Sequence, residues 1–199
     1  MGSSFTDGRE VLSRDEMITG FALERASKSG AIFDEEKLHW LNAIYIRNCA
    51  TEDLIERLKP FLEQAGYIID NIDAKWLSEV IELVKTELTT LAEIGSNIDI
   101  FFDDKYKMTA EAKEILEKDT ACKVVRAFPE FLETATGSPA DIYASAIKYT
   151  REKTGAKGKE LFMPIRAAIT GKVHGPELDK VFAVLGKDVA LRRLKAFIN

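Results

Sequence analysis

Glu160-Leu161-Phe162-Met163-Pro164-Ile165-Arg166-Ala167-Ala168-Ile169-Thr170-Gly171, then Lys172-Val173-His174-Gly175-Pro176 and Glu177-Leu178, is the stretch whose reading decides the fold class. A run with apolar residues at helical spacing stops at a glycine. A connection holding a second glycine and a proline follows, and another periodic run begins. The same punctuation repeats outward in both directions. Upstream, Ser138-Pro139 is an N-cap followed by proline at the first helical position, opening a helix that Gly155 closes. Downstream, one helix is expected from Pro176 to Leu185, stopped by Gly186, and another from Val189 to Ile198.

Toward the N-terminus, Ser13-Arg14-Asp15-Glu16 has the form of a capping box ahead of Met17, Ile18 and Phe21. Asp34 can cap a helix carrying Leu38, Leu41, Ile44 and Tyr45. Thr51 can cap one carrying Leu54, Ile55, Leu58, Phe61 and Leu62, with Gly66 beyond its end and a kink or break expected at Pro60. Asp73 opens a periodic segment running on toward Leu91. From Gly95 to Lys107 the period stops. That stretch, with Phe101-Phe102-Asp103-Asp104 inside it, reads as a connection between two helical subdomains. Thr109 and Thr120 restart helices, and Pro129 kinks or ends the second. Alternating strand patterns are nearly absent, so the expected class is all-α.

The chain has 199 residues, 46% of them hydrophobic and 31% charged, enough to bury a sizeable core and too ordered in composition for a disordered tail. No apolar run approaches the roughly 18 residues that suggest a membrane span. Met1-Gly2-Ser3-Ser4 reads as an expression scar rather than a signal peptide, and a cytoplasmic location is expected. Cys49 and Cys122 stand far apart without partners at metal-ligand spacing, so two buried thiols are expected, with no disulfide and no metal site. His39 beside Trp40 reads as packing.

Net charge is −5, but it is unevenly placed. Residues 1–145 carry 16 Lys and Arg against 28 Asp and Glu; residues 146–199 carry 12 against 5. A basic module attached to an acidic one is what a phosphate backbone attracts, and equally what a solvated basic helical face looks like. No glycine-rich phosphate loop, nucleophile elbow or metalloprotease motif occurs, so no catalytic residue is expected in this chain. Adjacent acids such as Glu35-Glu36 sit at helix starts, where they complement the macrodipole. The most informative local feature is the turn from Thr170 to Pro176, which exposes backbone donors and acceptors next to Arg166. That planar cation can stack on a base or pair with one.

Two long stretches carry a resemblance. Leu23 to Asp34, continuing as Glu36-Lys37-Leu38-His39-Trp40-Leu41-Asn42 and Tyr45-Ile46-Arg47, resembles the segment that follows the catalytic half of bacterial glutamyl-tRNA synthetases. Pro164 to Gly171, then Gly175-Pro176-Glu177-Leu178 and Leu185-Gly186-Lys187 to Leu191-Arg192-Arg193-Leu194, resembles the end of that family's chains.

The resemblance implies a class I aminoacyl-tRNA synthetase whose Rossmann half, with its ATP signatures, is not in this sequence; Lys28-Ser29 belongs to a different segment. What is expected here is a tRNA anticodon-binding part that is inactive alone: residues 1–33 as the end of a stem-contact region, 34–103 and 104–199 as two helical anticodon-binding subdomains. ATP and Mg serve the parent enzyme, with no cofactor in this part. The partners implied are tRNA(Glu) and, if discrimination is relaxed, tRNA(Gln), with no membrane and a monomeric state. A helical protein–protein interaction module is the alternative.

By the same resemblance, Arg166, Gly175, Pro176 and Leu178 line the pocket for the first two anticodon bases. Where the family can carry Thr, this chain has Gly175, which leaves backbone contact and the stacking surfaces of Pro176 and Leu178. Aligned without a gap, Glu87 takes the place of an arginine that reads the third base; a one-turn shift puts Lys85 or Glu93 there instead. Lys172, Arg192 and Arg193 are expected at phosphates.

Overall fold

The computed structural model describes residues 9–23, 33–69 and 71–198. Much of the first resembling stretch, residues 24–32, lies outside them. Eleven α-helices and no strand occur among the described residues: α1 (Arg14–Gly20), α2 (Glu35–Asn48), α3 (Thr51–Gln64), α4 (Ala74–Val84), α5 (Ile94–Ile98), α6 (Ala110–Leu116), α7 (Asp119–Thr134), α8 (Pro139–Thr154), α9 (Lys159–Thr170), α10 (Leu178–Leu185) and α11 (Lys187–Lys195).

Many ends are set by the side chains the sequence marks. Ser13 and Glu16 close a reciprocal capping box. Asp34, Asp73, Thr109 and Ser138 each accept a bond from the backbone N–H three residues on. Gly155 and Gly171 end α8 and α9 in the left-handed conformation.

Others differ. Thr51 is the first residue of α3 rather than its cap, and its hydroxyl is donated to the Glu82 carboxylate. Thr120 lies inside α7, which starts at Asp119 without a side-chain cap. Pro60 and Pro129 break nothing: α3 and α7 run through them, as α9 runs through Pro164. A proline in a helix interior costs about 3 kcal/mol or more. In α3 the inward Leu54, Leu58 and Leu62 are almost wholly buried, and burial at about 1.5–3 kcal/mol per side chain offsets that cost.

The segment read as a connection is mostly helical. Leu91–Glu93 and Asp99–Phe101 form single 3-10 turns flanking α5, and Ile94, Ile98, Ile100 and Phe101 are buried. Elements this short cannot establish a visible period. Phe101 and Phe102 both meet Trp76 edge-on, and Phe102 also meets Tyr67. The C-terminal helices also shift: α10 begins at Leu178 rather than Pro176, and α11 spans Lys187–Lys195.

One buried cluster runs from Ile46 to Leu194 and joins early helices to late ones. Trp76 on α4 donates its indole N–H to the Val184 carbonyl on α10 at 3.2 Å. The end of α9 is held from outside by three donors: Tyr106 Oη to the Ala168 carbonyl at 3.0 Å, Arg193 Nη1 to that of Ile169 at 2.8 Å, and the Thr109 N–H to that of Gly171 at 2.9 Å. Any side chain on Gly171 would overlap the Lys107 carbonyl oxygen, and its φ of +72° already favours glycine.

The thiols and the first histidine differ from expectation. Cys122 is exposed and Cys49 half-buried. Cys122 falls on the outer face of α7, whose inward positions are Ala121, Val124, Val125 and Phe128. His39 is exposed as well, in the solvent-facing first turns of α2.

Candidate nucleic-acid interface

Arg166 sits on the third turn of α9, half-buried, with its backbone carbonyl accepting from Thr170 Oγ1 at 2.8 Å. Its Nη1 is buried and has no hydrogen-bond partner. A guanidinium nitrogen taken out of water without a partner is costly, on the order of 1–3 kcal/mol, and Arg193 Nε is buried in the same way. Burial pushes the guanidinium below its ordinary pKa, with the charges of Tyr143 and Glu87 opposing. Burial likewise pushes the Tyr143 phenol up to about 12, helped by the Asp179 carboxylate, so Tyr143 remains a neutral donor at physiological pH.

Gly175 lies against Arg166. A Cβ there would stand 3.8 Å from Arg166 Nη1, and the φ of +134° excludes most side chains in any case. Pro176 is buried, with its edge on a cleft of about 980 Å³ whose other wall is α4 and the 3-10 turn Lys85–Glu87. Leu178, 6% exposed, opens α10 and lines a neighbouring groove of about 710 Å³ together with Tyr143, Ile147, Phe162 and Arg166. The stacking surface that Pro176 and Leu178 offer is therefore small.

Glu87 is exposed on that same cleft wall. The helix that carries the expected segment ends at Val84, so Glu87 stands on the 3-10 turn beyond it, facing the Gly175–Pro176 side. The fold thus brings Gly175, Pro176 and Glu87, up to 89 positions apart in the chain, onto one cleft, with Arg166 behind Gly175 on the neighbouring groove.

The cleft is lined by acids: Glu52, Glu79, Glu82, Glu87 and Glu177. Lys85 pairs with Glu82 at 2.6 Å and Lys180 with Glu177 at 2.6 Å, so the cations nearby are already occupied. Such a surface repels phosphate and accepts the N–H donors of base edges.

The three basic residues expected at phosphates are not one group. Arg193 is 6% exposed, donates Nη1 to the carbonyls of Ile100 at 2.7 Å and Ile169 at 2.8 Å, pairs with Asp103 at 3.0 Å and lies over the Tyr106 ring at 4.2 Å. It is an internal clamp, not a phosphate contact. Lys172 is likewise turned inward, with its Nζ 2.6 Å from Asp99 Oδ1 and 2.5 Å from the Ser96 carbonyl oxygen. Arg192 is paired with Asp103 but remains exposed. Burial works against ionisation of Asp103, yet hydrogen bonding from Arg193 and the charge of Arg192 hold its carboxyl below the usual range. Phe162, which no motif in the sequence marks, is 43% exposed on the wall of the same groove as Arg166, four residues before it.

Among the described residues, no three His, Cys, Asp or Glu side chains gather as a metal site, and no helix is long and apolar enough to cross a membrane.

Residues 53–198 match the family model described as anticodon binding domain. A glutamate–tRNA ligase 2 of Syntrophus aciditrophicus is 44% identical over 199 residues, covering 100% of this chain and 41% of that protein. A glutamate–tRNA ligase of Finegoldia magna is 38% identical, again over 100% of this chain and 40% of its own length. The chain therefore spans about two fifths of the curated relatives it matches. A crystal structure of a glutamate tRNA ligase from Elizabethkingia meningosepticum superposes with a TM-score of 0.81 over 99% of this chain and 38% of that one, at 24% identity.

Proposed function

The chain belongs to the anticodon binding domain family, and we propose that it is the anticodon-reading part of a cytoplasmic, monomeric glutamate–tRNA ligase, with residues 34–103 and 104–199 as its two helical subdomains and tRNA(Glu) as its partner. The observation that carries the reading is the buried, partnerless Arg166 Nη1 behind Gly175, on the groove adjoining the acid-lined cleft that holds Glu87. Sequence-specific RNA recognition targets splayed loop bases, which are stacked and hydrogen-bonded along their edges. Arg166 supplies the donor and the plane, Glu87 the acceptor, and Gly175 and Pro176 the wall between them. Titration with a tRNA(Glu) anticodon stem–loop at two salt concentrations tests this. Salt-dependent binding lost on changing the anticodon bases is expected; no binding by the folded protein would leave a protein–protein module.

The activation chemistry, with its ATP and Mg, is assigned to the remaining three fifths of such an enzyme, because this sequence has no phosphate-cradling glycine loop. With glutamate, tRNA and Mg-ATP, the chain alone is expected to leave pyrophosphate exchange at background. Robust exchange would refute the assignment.

Glu87 gives a second expected outcome. A carboxylate can accept from the N1 and N2 hydrogens of G or the N4 hydrogens of C, whereas it cannot donate to the acceptors of C. The third anticodon base, C in tRNA(Glu) and G in tRNA(Gln), should therefore be discriminated weakly, within about tenfold. Anticodon stem–loops differing only at that base measure it. A strong preference for C that persists in Glu87→Ala would remove Glu87 from the site.

A further inference from the structure

The acidic cleft and the inward-turned Lys172 and Arg193 leave open where an RNA backbone would be neutralised. The 12 basic residues of 146–199 divide sharply. Lys153, Lys180, Arg192 and Lys195 are paired with Glu130, Glu177, Asp103 and Glu133. Lys172 and Arg193 bind inside the protein, and Lys187 donates to the Ala135 carbonyl at 3.1 Å. Apart from Arg166, those whose side chains have no partner among the described residues are Lys148, Arg151, Lys157 and Lys159, all exposed.

These four lie at one corner. Lys148 and Arg151 are on the last two turns of α8; Gly155, left-handed at its C-cap, turns the chain; Lys157 and Lys159 flank Gly158 at the start of α9. The intervening acids are Glu152, and Glu160 just beyond. Of the other unpaired cations among the described residues, Lys113, Lys118, Lys123 and Arg126, on α6, α7 and the link between them, are interleaved with Glu111, Glu114, Glu117 and Asp119 and make no comparable field, and Arg14, Arg47, Arg57 and Lys107 stand apart from one another in the chain.

The corner is continuous with the opening described above. Phe162, 43% exposed, lies three residues past Lys159 and one turn before Arg166, on the groove wall shared with Ile147. Arg151 follows Ile147 by four residues and so continues the same face of α8. Glu177, Lys180 and Ala183 line both this groove and the cleft. A basic rim with an exposed aromatic beside it is the combination that holds single-stranded nucleic acid, phosphates on the cations and a base on the ring.

We propose that the α8–α9 corner is the phosphate-binding track of this protein: Lys148, Arg151, Lys157 and Lys159 neutralise the backbone of the RNA loop, and Phe162 stacks a base adjoining those read at Arg166. The proposal rests on the anticodon-reading function argued above.

The test is the salt dependence of binding to the anticodon stem–loop. Each neutralised phosphate contributes about 0.7–0.9 to the slope of log K against log salt. Arg151→Gln/Lys157→Gln/Lys159→Gln is expected to make that slope shallower by about 2–3, whereas Arg192→Gln should leave it nearly unchanged. Phe162→Ala should lose about 5–150-fold in affinity at fixed salt with the slope preserved, and Phe162→Trp should retain binding. All these positions are at the surface, and unchanged circular dichroism and melting temperature confirm the fold. An unaltered slope in the triple variant, or an equal change in Arg192→Gln, overturns the track; unchanged binding by Phe162→Ala overturns the stacking role. Failure of the wild-type protein to bind the stem–loop at all would overturn the function, not the track specifically.

Discussion

Arg166→Ala is expected to weaken binding of the anticodon stem–loop by about 1–3 kcal/mol at fixed salt, the scale for losing a stacked or base-pairing side chain. The reason lies in what the free protein leaves undone. Arg166 Nη1 is desolvated without a partner, so the cost of burying that donor has been met before any ligand arrives. A base edge that accepts from it replaces nothing. Arg166→Lys should recover little, because an ammonium is a point charge and cannot present a plane. The free protein should lose no stability in Arg166→Ala: its melting temperature should be equal or raised. Equal affinity of Arg166→Ala and wild type in the same buffer would remove Arg166 from the site.

The other large effect is on stability. Arg193→Met should destabilise the fold by about 2–4 kcal/mol, since the Ile100 and Ile169 carbonyls would lose their shared donor at a buried position. Asp103 would keep Arg192 and so would not be stranded. Arg192→Met, next in sequence but exposed, should cost less than about 1 kcal/mol. Urea unfolding of the two variants makes the comparison, read from midpoints at unchanged m. Coincident midpoints would show that the clamp contributes nothing.

The sequence was most legible where one residue decides a local conformation. Ser13, Asp34, Asp73, Thr109 and Ser138 each mark a helix start because a short oxygen-bearing side chain reaches an orphan N–H. Gly155 and Gly171 mark ends because a positive φ is open to them. Legibility failed where tertiary packing overrides the local signal. Pro60 and Pro129 would end isolated helices, but here the buried faces around them hold the helices together. The turns between Leu91 and Phe101 are too short to show a period.

The interface divides the same way. The glycines and proline around Arg166 announced a turn, but its exposure is confined to His174 and Gly175, while Thr170, Gly171, Val173 and Pro176 are buried. Adjacent arginines at 192 and 193 look identical in sequence, yet one faces solvent and the other fills the interior. Charge counting cannot separate a strut from a free cation, because the carboxylate partners of Lys172 and Arg193 lie 73 and 90 residues away.

The hydrogen bond from Trp76 to Val184 spans 108 positions. During synthesis at about 5–20 residues per second, α4 leaves the ribosome with its partner helix still unmade, a wait of about 5–20 s. Over that interval the Trp76 side of α4 has no α10 to cover it. The early helices can form their own turns and pack α3 on α4, but the cleft between α4 and α10 closes only once α10 has been made. Nascent chains stalled before Val184 should accordingly expose that face to proteases and chaperones, whereas chains extended past it should be protected.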